Sequence, residues 1–199
     1  MNNILINSHS SNYLILLADD LGYGDLHCYG NDTIMTPNLD RLATNGVMFS
    51  SYYATAPVCS PSRAGLLTGR IPSRTGIYEW ISHESPVHLK STEVTIATHL
   101  KKSGYQTAFF GKWHLNGKFN SPEQPQPGDH GFDYWFATQN NAYPTHKDPE
   151  NFVLNGEPTG VIKGYSCQIV ANKTLDWLQN NRDEVKPFFI YVAIENIFR

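Results

Sequence analysis

Short apolar segments along the chain alternate with segments whose apolar residues recur every three or four positions. The apolar runs predict strands at residues 13–17, 47–53, 106–110 and 188–194. Helix signals, such as Thr36-Pro37 at a start and Gly46 beyond an end, predict helices at residues 36–46, 61–69, 95–102 and 166–180. This alternation predicts an α/β fold in which helices sandwich a mostly parallel sheet.

Polar groups directly follow two of the predicted strands. Asp19 and Asp20 come after the first strand, and Lys112 and His114 come after the strand at 106–110. Ligands of open parallel sheets bind beyond the carboxyl ends of the strands, so we predict the functional site at that edge. Residues 116–158 are rich in proline, glycine and asparagine, and they predict a long excursion of the kind that shapes a substrate pocket.

Composition narrows the possible functions. The 199 residues are 40% hydrophobic and 17% charged, which suits one globular domain over residues 1–199. The formal net charge is −3 and no lysine or arginine run occurs, so we expect no nucleic-acid partner and no membrane partner. The first twenty residues lack a basic segment and a long apolar run, which predicts no signal peptide and leaves the compartment undetermined.

The strongest motif is C-S-P-S-R-A-G-L-L-T-G at residues 59–69. It resembles the signature of the type I, formylglycine-dependent sulfatases, whose fold is alkaline-phosphatase-like. The resemblance implies that a formylglycine-generating enzyme reads Cys59, Pro61 and Arg63 and oxidises Cys59 to an aldehyde, which hydrates to a geminal diol. One hydroxyl of such a diol attacks sulfur, and the other later expels sulfate. Cysteine-dependent phosphatases are excluded, because their loop needs more than the three residues between Cys59 and Arg63.

The predicted helix beginning at this motif adds a second favourable feature. Its N-terminus supplies backbone N–H groups and a positive dipole end beneath Cys59, both of which favour an anionic sulfate. Cys28 and Cys167 lie far from Cys59 in the sequence, so the three cysteines predict neither a disulfide framework nor a zinc site.

Asp19 and Asp20, followed by L-G-Y-G-D, also resemble the family pattern. The resemblance implies that both aspartates, together with the modified Cys59, bind a divalent cation, Ca²⁺ or Mg²⁺. Carboxylate oxygens suit such hard cations, and the cation acts as a Lewis acid on the hydrate and the sulfate. On its own, an Asp-Asp pair at a strand end is more typical of a turn or a helix cap.

The segment G-K-W-H-L at residues 111–115 resembles a third sulfatase motif. It implies that Lys112 contacts the hydrate and the ester, and that His114 takes the proton of the remaining hydroxyl as sulfate leaves. By the same resemblance, Arg63 stabilises the hydrate electrostatically. The segment H-G-F-D at 130–133 is also similar to the family, but we assign it a structural role in packing the excursion.

The resemblance covers residues 12 to about 193, and it then ends. Sulfatases place a histidine after a strand like that at 188–194, and later an Asp-Asn pair and a lysine, whereas residues 194–199 read I-E-N-I-F-R. We therefore expect a C-terminally truncated domain, an incomplete cation site and weak metal affinity.

Three functional hypotheses remain open. The first is a sulfuric ester hydrolase acting on a sulfate ester such as a sulfated carbohydrate. The second is a phosphonate or phosphate monoester hydrolase of the same superfamily. The third is a non-catalytic sulfatase fragment that binds a sulfated ligand without turnover.

Overall fold

A computed structural model describes residues 10–195, which form a six-stranded sheet in the order β1-β6-β2-β3-β4-β5. The strands are β1 (Tyr13–Ala18), β2 (Gln106–Lys112), β3 (Tyr134–Thr138), β4 (Val153–Leu154), β5 (Glu157–Pro158) and β6 (Phe188–Ile194). The pairs β1–β6, β6–β2 and β2–β3 are parallel, whereas β4 and β5 add an antiparallel margin beside β3. The predicted mostly parallel sheet is thus confirmed.

Five helices accompany the sheet in the part of the chain that the structure describes. They are α1 (Pro37–Asn45), α2 (Cys59–Thr68), α3 (Pro72–Thr75), α4 (Ile96–Lys102) and α5 (Ser166–Asp176). Capping interactions mark two of the ends: the Thr98 N–H donates to Thr95 Oγ1 (3.0 Å) at the start of α4, and Gly69 ends α2 with φ +67°. The Thr36 side chain predicted to cap α1 makes no such hydrogen bond. The helix predicted to reach residue 180 is shorter, because the backbone changes to a π turn over Trp177–Asn181.

One strand prediction and one loop prediction need correction. Residues 47–53 form no strand, and Val47 and Tyr53 are 80% and 84% exposed. Within residues 10–195, β1 pairs only with β6, and this apolar segment does not pair with the open edge of β1. Conversely, the segment 116–158 is not only an excursion, because it contributes β3, which pairs in parallel with β2. Whether a short apolar run forms a strand depends on its tertiary contacts as well as on its own sequence.

The two faces of the sheet carry separate cores. Phe109 on β2 packs with Leu67 of α2 and Ala97 of α4 on one face. Phe110, its neighbour, packs with Ile169 of α5 on the other, as the alternation of side chains along a strand requires. Helices therefore cover both faces of the central strands. One of them, α2, begins at the carboxyl edge of the sheet.

None of the helices between residues 10 and 195 combines the length and apolarity that crossing a bilayer would require.

Candidate active site

Four neighbouring parallel strands bring polar side chains to one edge of the sheet. Asp19 follows β1, Lys112 ends β2, Asn141 lies three residues beyond β3, and Glu195 follows β6. This is the carboxyl edge at which the sequence predicted the site.

Cys59 is the first residue of α2 and is partly buried at this edge. The Lys112 Nζ atom lies 3.5 Å from the Cys59 Sγ atom. The neighbouring Ser60 is fully buried, and its Oγ accepts a hydrogen bond from the Ile81 N–H at 3.0 Å. The thiol therefore sits at a helix N-terminus with an ammonium group beside it, an environment that favours negative charge.

A buried network of charges surrounds Asp19. The Lys112 Nζ atom donates to Asp19 Oδ2 at 2.8 Å, and the Arg63 Nη2 atom lies 3.2 Å from Asp19 Oδ1. Burial raises the pKa of Asp19, but the charges of Arg63 and Lys112 outweigh burial and hold that pKa below its usual value. Asp19 is thus ionised, and the three groups together leave one positive charge at the site.

Arg63 is only 2% exposed, and its Nη1 atom donates to the Lys112 carbonyl oxygen at 2.5 Å. This bond fixes the end of β2 relative to α2. Lys112 itself is 3% exposed, so both cations have little water around them and interact strongly with an anion.

Gly111 explains how Lys112 is aimed at the site. Gly111 has φ +98°, and a Cβ atom there would lie 2.0 Å from the Ala193 carbonyl oxygen of β6. Only glycine combines this backbone conformation with so close an approach. The glycine of the G-K-W-H-L segment therefore has a structural role in the turn that presents the lysine.

His114 is 1% exposed and is held in one tautomer. Its Nε2 atom lies 2.9 Å from the Ile81 carbonyl oxygen, which can only accept a hydrogen bond, so Nε2 carries the proton and Nδ1 has a free lone pair. Burial, and then the charge of Lys112, lower the pKa of His114 to about 4. The imidazole is neutral near pH 7 and can accept a proton at Nδ1.

Asp20 differs from Asp19 in its surroundings. It is exposed and has φ +60°, a conformation that is uncommon for a residue with a side chain. Within residues 10–195 no group of three or more His, Cys, Asp or Glu side chains is placed to hold a metal ion, so Asp19, Asp20 and Cys59 do not form such a group.

Sequence reasoning missed two residues of this edge. The Lys112 Nζ atom lies 3.4 Å from Asn141 Oδ1. Glu195 is 5% exposed, and its Oε2 accepts from the Ala142 N–H at 2.7 Å. Assigning residues 134–138 to a strand would have placed Asn141 at the sheet edge, and the position of Glu195 directly after the last predicted strand was a further signal.

The segment 130–133 packs as predicted for a structural role. His130 is buried with its ring 5.7 Å from the Trp113 ring, and the Phe132 ring lies 5.4 Å from Phe109. His130 and Phe132 are thus part of the packed interior, whereas Asp133 is exposed.

Comparisons with known proteins agree with this architecture. A sequence model described as Sulfatase matches residues 11–196. The N-acetylgalactosamine-6-sulfatase of Sus scrofa is 38% identical over 207 residues, which cover 92% of this chain and 39% of that protein. The steryl-sulfatase of Homo sapiens is 44% identical over 134 residues, which cover 63% of this chain and 23% of that protein.

A solved structure, BT4656 in complex with its substrate D-glucosamine-2-N,6-O-disulfate, superposes with a TM-score of 0.76 at 31% identity and covers 95% of this chain and 35% of that one. The chain thus spans about 39% of the length of the pig enzyme. The α/β architecture predicted from the sequence is that of these structural neighbours, which have the alkaline-phosphatase-like fold. With a family match over nearly its whole length, the chain belongs to the sulfatase family.

Proposed function

We propose that this chain carries the nucleophile side of a sulfuric ester hydrolase site, in which Cys59 acts after oxidation to formylglycine. One observation carries the proposal: the buried Lys112 ammonium lies 3.5 Å from Cys59 Sγ and 2.8 Å from the Asp19 carboxylate, which Arg63 also contacts. A nucleophile position with two desolvated cations and a helix N-terminus suits a sulfate group.

In this proposal the Cys59 Sγ atom stands for one hydroxyl of the formylglycine hydrate. That hydroxyl loses its proton as its oxygen attacks the sulfur of the ester, the bond from sulfur to the leaving oxygen breaks, and the leaving alcohol takes up one proton, so the proton count of this step is unchanged. The second hydroxyl then gives its proton to His114 Nδ1, the C–O bond to sulfate breaks, and the aldehyde forms again. Water finally hydrates the aldehyde and restores the diol, and His114 releases its proton to solvent.

The neighbouring residues have distinct roles in this scheme. Lys112 contacts the hydrate and the sulfate oxygens, while Arg63 stabilises the negative charge from the side of Asp19. The neutral imidazole of His114 is suited to accept a proton, because its Nε2–H is committed to the Ile81 carbonyl.

A divalent cation, Ca²⁺ or Mg²⁺, belongs to the same proposal. The carboxylates of Asp19 and Asp20 have the oxygen chemistry that these cations prefer, and a bound cation would acidify the hydrate and offset sulfate charge. Two aspartates supply a minority of the roughly six to eight oxygens that Ca²⁺ takes. The described residues therefore fit the cation in chemistry but not in number.

A sulfated carbohydrate is the substrate class that we favour. The pig relative is named for a sulfated amino sugar, and the BT4656 structure contains a sulfated glucosamine. The formylglycine-generating enzyme is the partner that the mechanism needs, since it supplies the oxidation of Cys59.

Mass spectrometry of the chain co-expressed with a formylglycine-generating enzyme tests the proposal. The tryptic peptide 42–63 contains Cys59 and should lose about 18 Da as the thiol becomes an aldehyde. The peptides that contain Cys28 and Cys167 are internal controls and should keep their thiols.

Unmodified Cys59 in the presence of an active maturation enzyme would remove the proposed nucleophile and favour a non-catalytic chain. If Cys59 is converted, rates on aryl sulfate and aryl phosphonate esters separate the sulfatase from the phosphonate hydrolase. The Lys112→Ala variant should mature normally and bind sulfate more weakly.

A further inference from the structure

Trp80 stands out among the aromatic residues because it is exposed beside the candidate site. It is 55% exposed, whereas the other three tryptophans, Trp113, Trp135 and Trp177, are at most 6% exposed. The Trp80 ring centroid lies 6.4 Å from that of His114. A large apolar ring therefore faces solvent next to the proposed base.

The backbone beside Trp80 is fixed to the site on several sides. The Ile81 N–H donates to Ser60 Oγ at 3.0 Å, next to the nucleophile position. The Ile81 carbonyl accepts from His114 Nε2 at 2.9 Å and from Gln139 Nε2 at 3.2 Å. The Ile81 side chain is 2% exposed, so it anchors the loop in the core. Trp80 is thus held in place rather than carried on a loose loop.

We propose that Trp80 is a specificity-determining residue that contacts the group bearing the sulfate, with its ring against the apolar face of a sugar. The inference rests on the proposed sulfatase function. Lys112 and Arg63 lie at the buried end of the site and meet the sulfate, so the rest of the substrate extends toward solvent, where Trp80 lies. Pockets that combine a few placed polar groups with aromatic walls bind amphipathic ligands of this kind.

Binding of three probes to the full chain in its unmodified cysteine form tests this assignment, because that form cannot turn the ester over. The probes are galactose 6-sulfate, galactose and inorganic sulfate, with affinities from isothermal titration calorimetry. We expect Trp80→Ala to weaken galactose 6-sulfate binding about tenfold, and Trp80→Phe to stay within about threefold of the parent. Both variants should bind inorganic sulfate as the parent does.

Tryptophan fluorescence gives a second readout, since Trp80 is the one tryptophan among residues 10–195 that solvent reaches freely. Galactose 6-sulfate should change the emission of the parent chain and protect it from acrylamide quenching, whereas inorganic sulfate should do neither. Tyr13→Ala is the matched control, because Tyr13 is 48% exposed at the opposite end of β1. It should bind every probe like the parent.

The outcomes separate this inference from the function on which it rests. If Trp80→Ala binds galactose 6-sulfate as tightly as the parent while inorganic sulfate still binds, the role of Trp80 is wrong and the sulfate site stands. If the parent chain binds neither sulfate nor galactose 6-sulfate, the proposed anion site fails, and the role of Trp80 fails with it.

Discussion

The centre of the sheet and its β1 edge differ sharply in how they are covered. On β2 and β6, Phe110 and Ile190 are fully buried on the face that α5 covers, whereas Leu14 and Leu16 on β1 are 57% and 54% exposed. Those two leucines line an open apolar groove of about 1040 Å³. The chain therefore combines a fully buried core at the centre of the sheet with an edge strand that exposes apolar side chains to solvent.

The candidate active-site residues divide in the same way. Lys112, Arg63 and His114 belong to the covered side and are at most 3% exposed, whereas Asp20 lies on the open side and is exposed. Positive charge and the proposed base are thus desolvated and held rigidly, which strengthens their electrostatic effect. The divalent cation that we propose would bind partly on the open side, where Asp20 lies.

The largest expected effect on stability comes from truncating a buried side chain at the centre of the sheet. Phe110→Ala should lower the free energy of unfolding by about 3–5 kcal/mol, because it removes a fully buried ring and leaves a cavity. Leu14→Ala on the open edge should cost less than about 1 kcal/mol, since more than half of that side chain already contacts solvent. Urea unfolding of both variants measures the difference. Equal losses would show that the two sides are covered alike in solution.

Gly111 gives the next test, because a side chain there would meet the backbone of β6. Gly111→Ala should destabilise the chain by about 2–4 kcal/mol, since the new Cβ would meet the Ala193 carbonyl oxygen at 2.0 Å with φ at +98°. Gly24→Ala, with no atom within 4 Å of the new Cβ, is the control and should change stability by less than about 0.5 kcal/mol. A tolerated Gly111→Ala would contradict the close approach of the two strands.

Glu195 should make the free energy of unfolding depend on pH. Burial raises the pKa of Glu195 from 4.5 to about 7, although Thr138 and Ala142 lower it in part. Between these two pH values the folded chain keeps a proton that the unfolded chain has lost, so this group lowers stability as pH rises from 4.5 to 7. Glu195→Gln removes that loss and should raise the free energy of unfolding at pH 8 by about 1–2 kcal/mol.

The hydrogen bonds around Glu195 support the choice of glutamine. The Thr138 hydroxyl lies 2.6 Å from the Asn140 carbonyl and 2.8 Å from Glu195 Oε1, and its one proton cannot serve both. A protonated carboxyl, or an amide, can instead donate to that hydroxyl while its other oxygen accepts from Ala142.

Thermal unfolding at pH 5 and pH 8 measures this prediction, with the exposed Glu157→Gln as the control. Each variant must be compared with the parent at the same pH. The buried His114 and His130, whose pKa values burial lowers to about 4, destabilise the chain as pH falls from 6.5 toward 4 and so act in the opposite direction. An equal gain for Glu195→Gln at both pH values would rule out a buried, proton-linked carboxyl.

The smallest expected effect is that of calcium. Because Asp19 and Asp20 supply few ligands and Asp19 already contacts two cations, Ca²⁺ should bind with a Kd weaker than about 0.1 mM. Isothermal titration calorimetry of the chain and of Asp20→Asn measures it. Micromolar binding that Asp20→Asn abolishes would show that the open side completes a cation site by itself.

Much of the fold could be predicted from local signals. The starts and ends of α2 and α4 follow from proline, threonine and glycine at particular positions, and the apolar runs of β1, β2 and β6 read directly as strands. The segment 47–53 and strand β3 were assigned wrongly because both are short apolar runs. Whether such a run becomes a strand depends on which segments pair with one another, and that is a property of the whole sheet.

The sequence by itself determined which residues we propose for the chemistry, because Cys59 and Arg63 share one helical motif and Lys112 and His114 share one strand end. Only the tertiary structure decided how these groups act on one another. Lys112 contacts Asp19 across 93 positions of the chain, and Arg63 contacts the Lys112 carbonyl across 49. The tautomer of His114 and the raised pKa of Glu195 likewise depend on burial and on distant hydrogen-bond partners, which exist only once the sheet and its helices have packed.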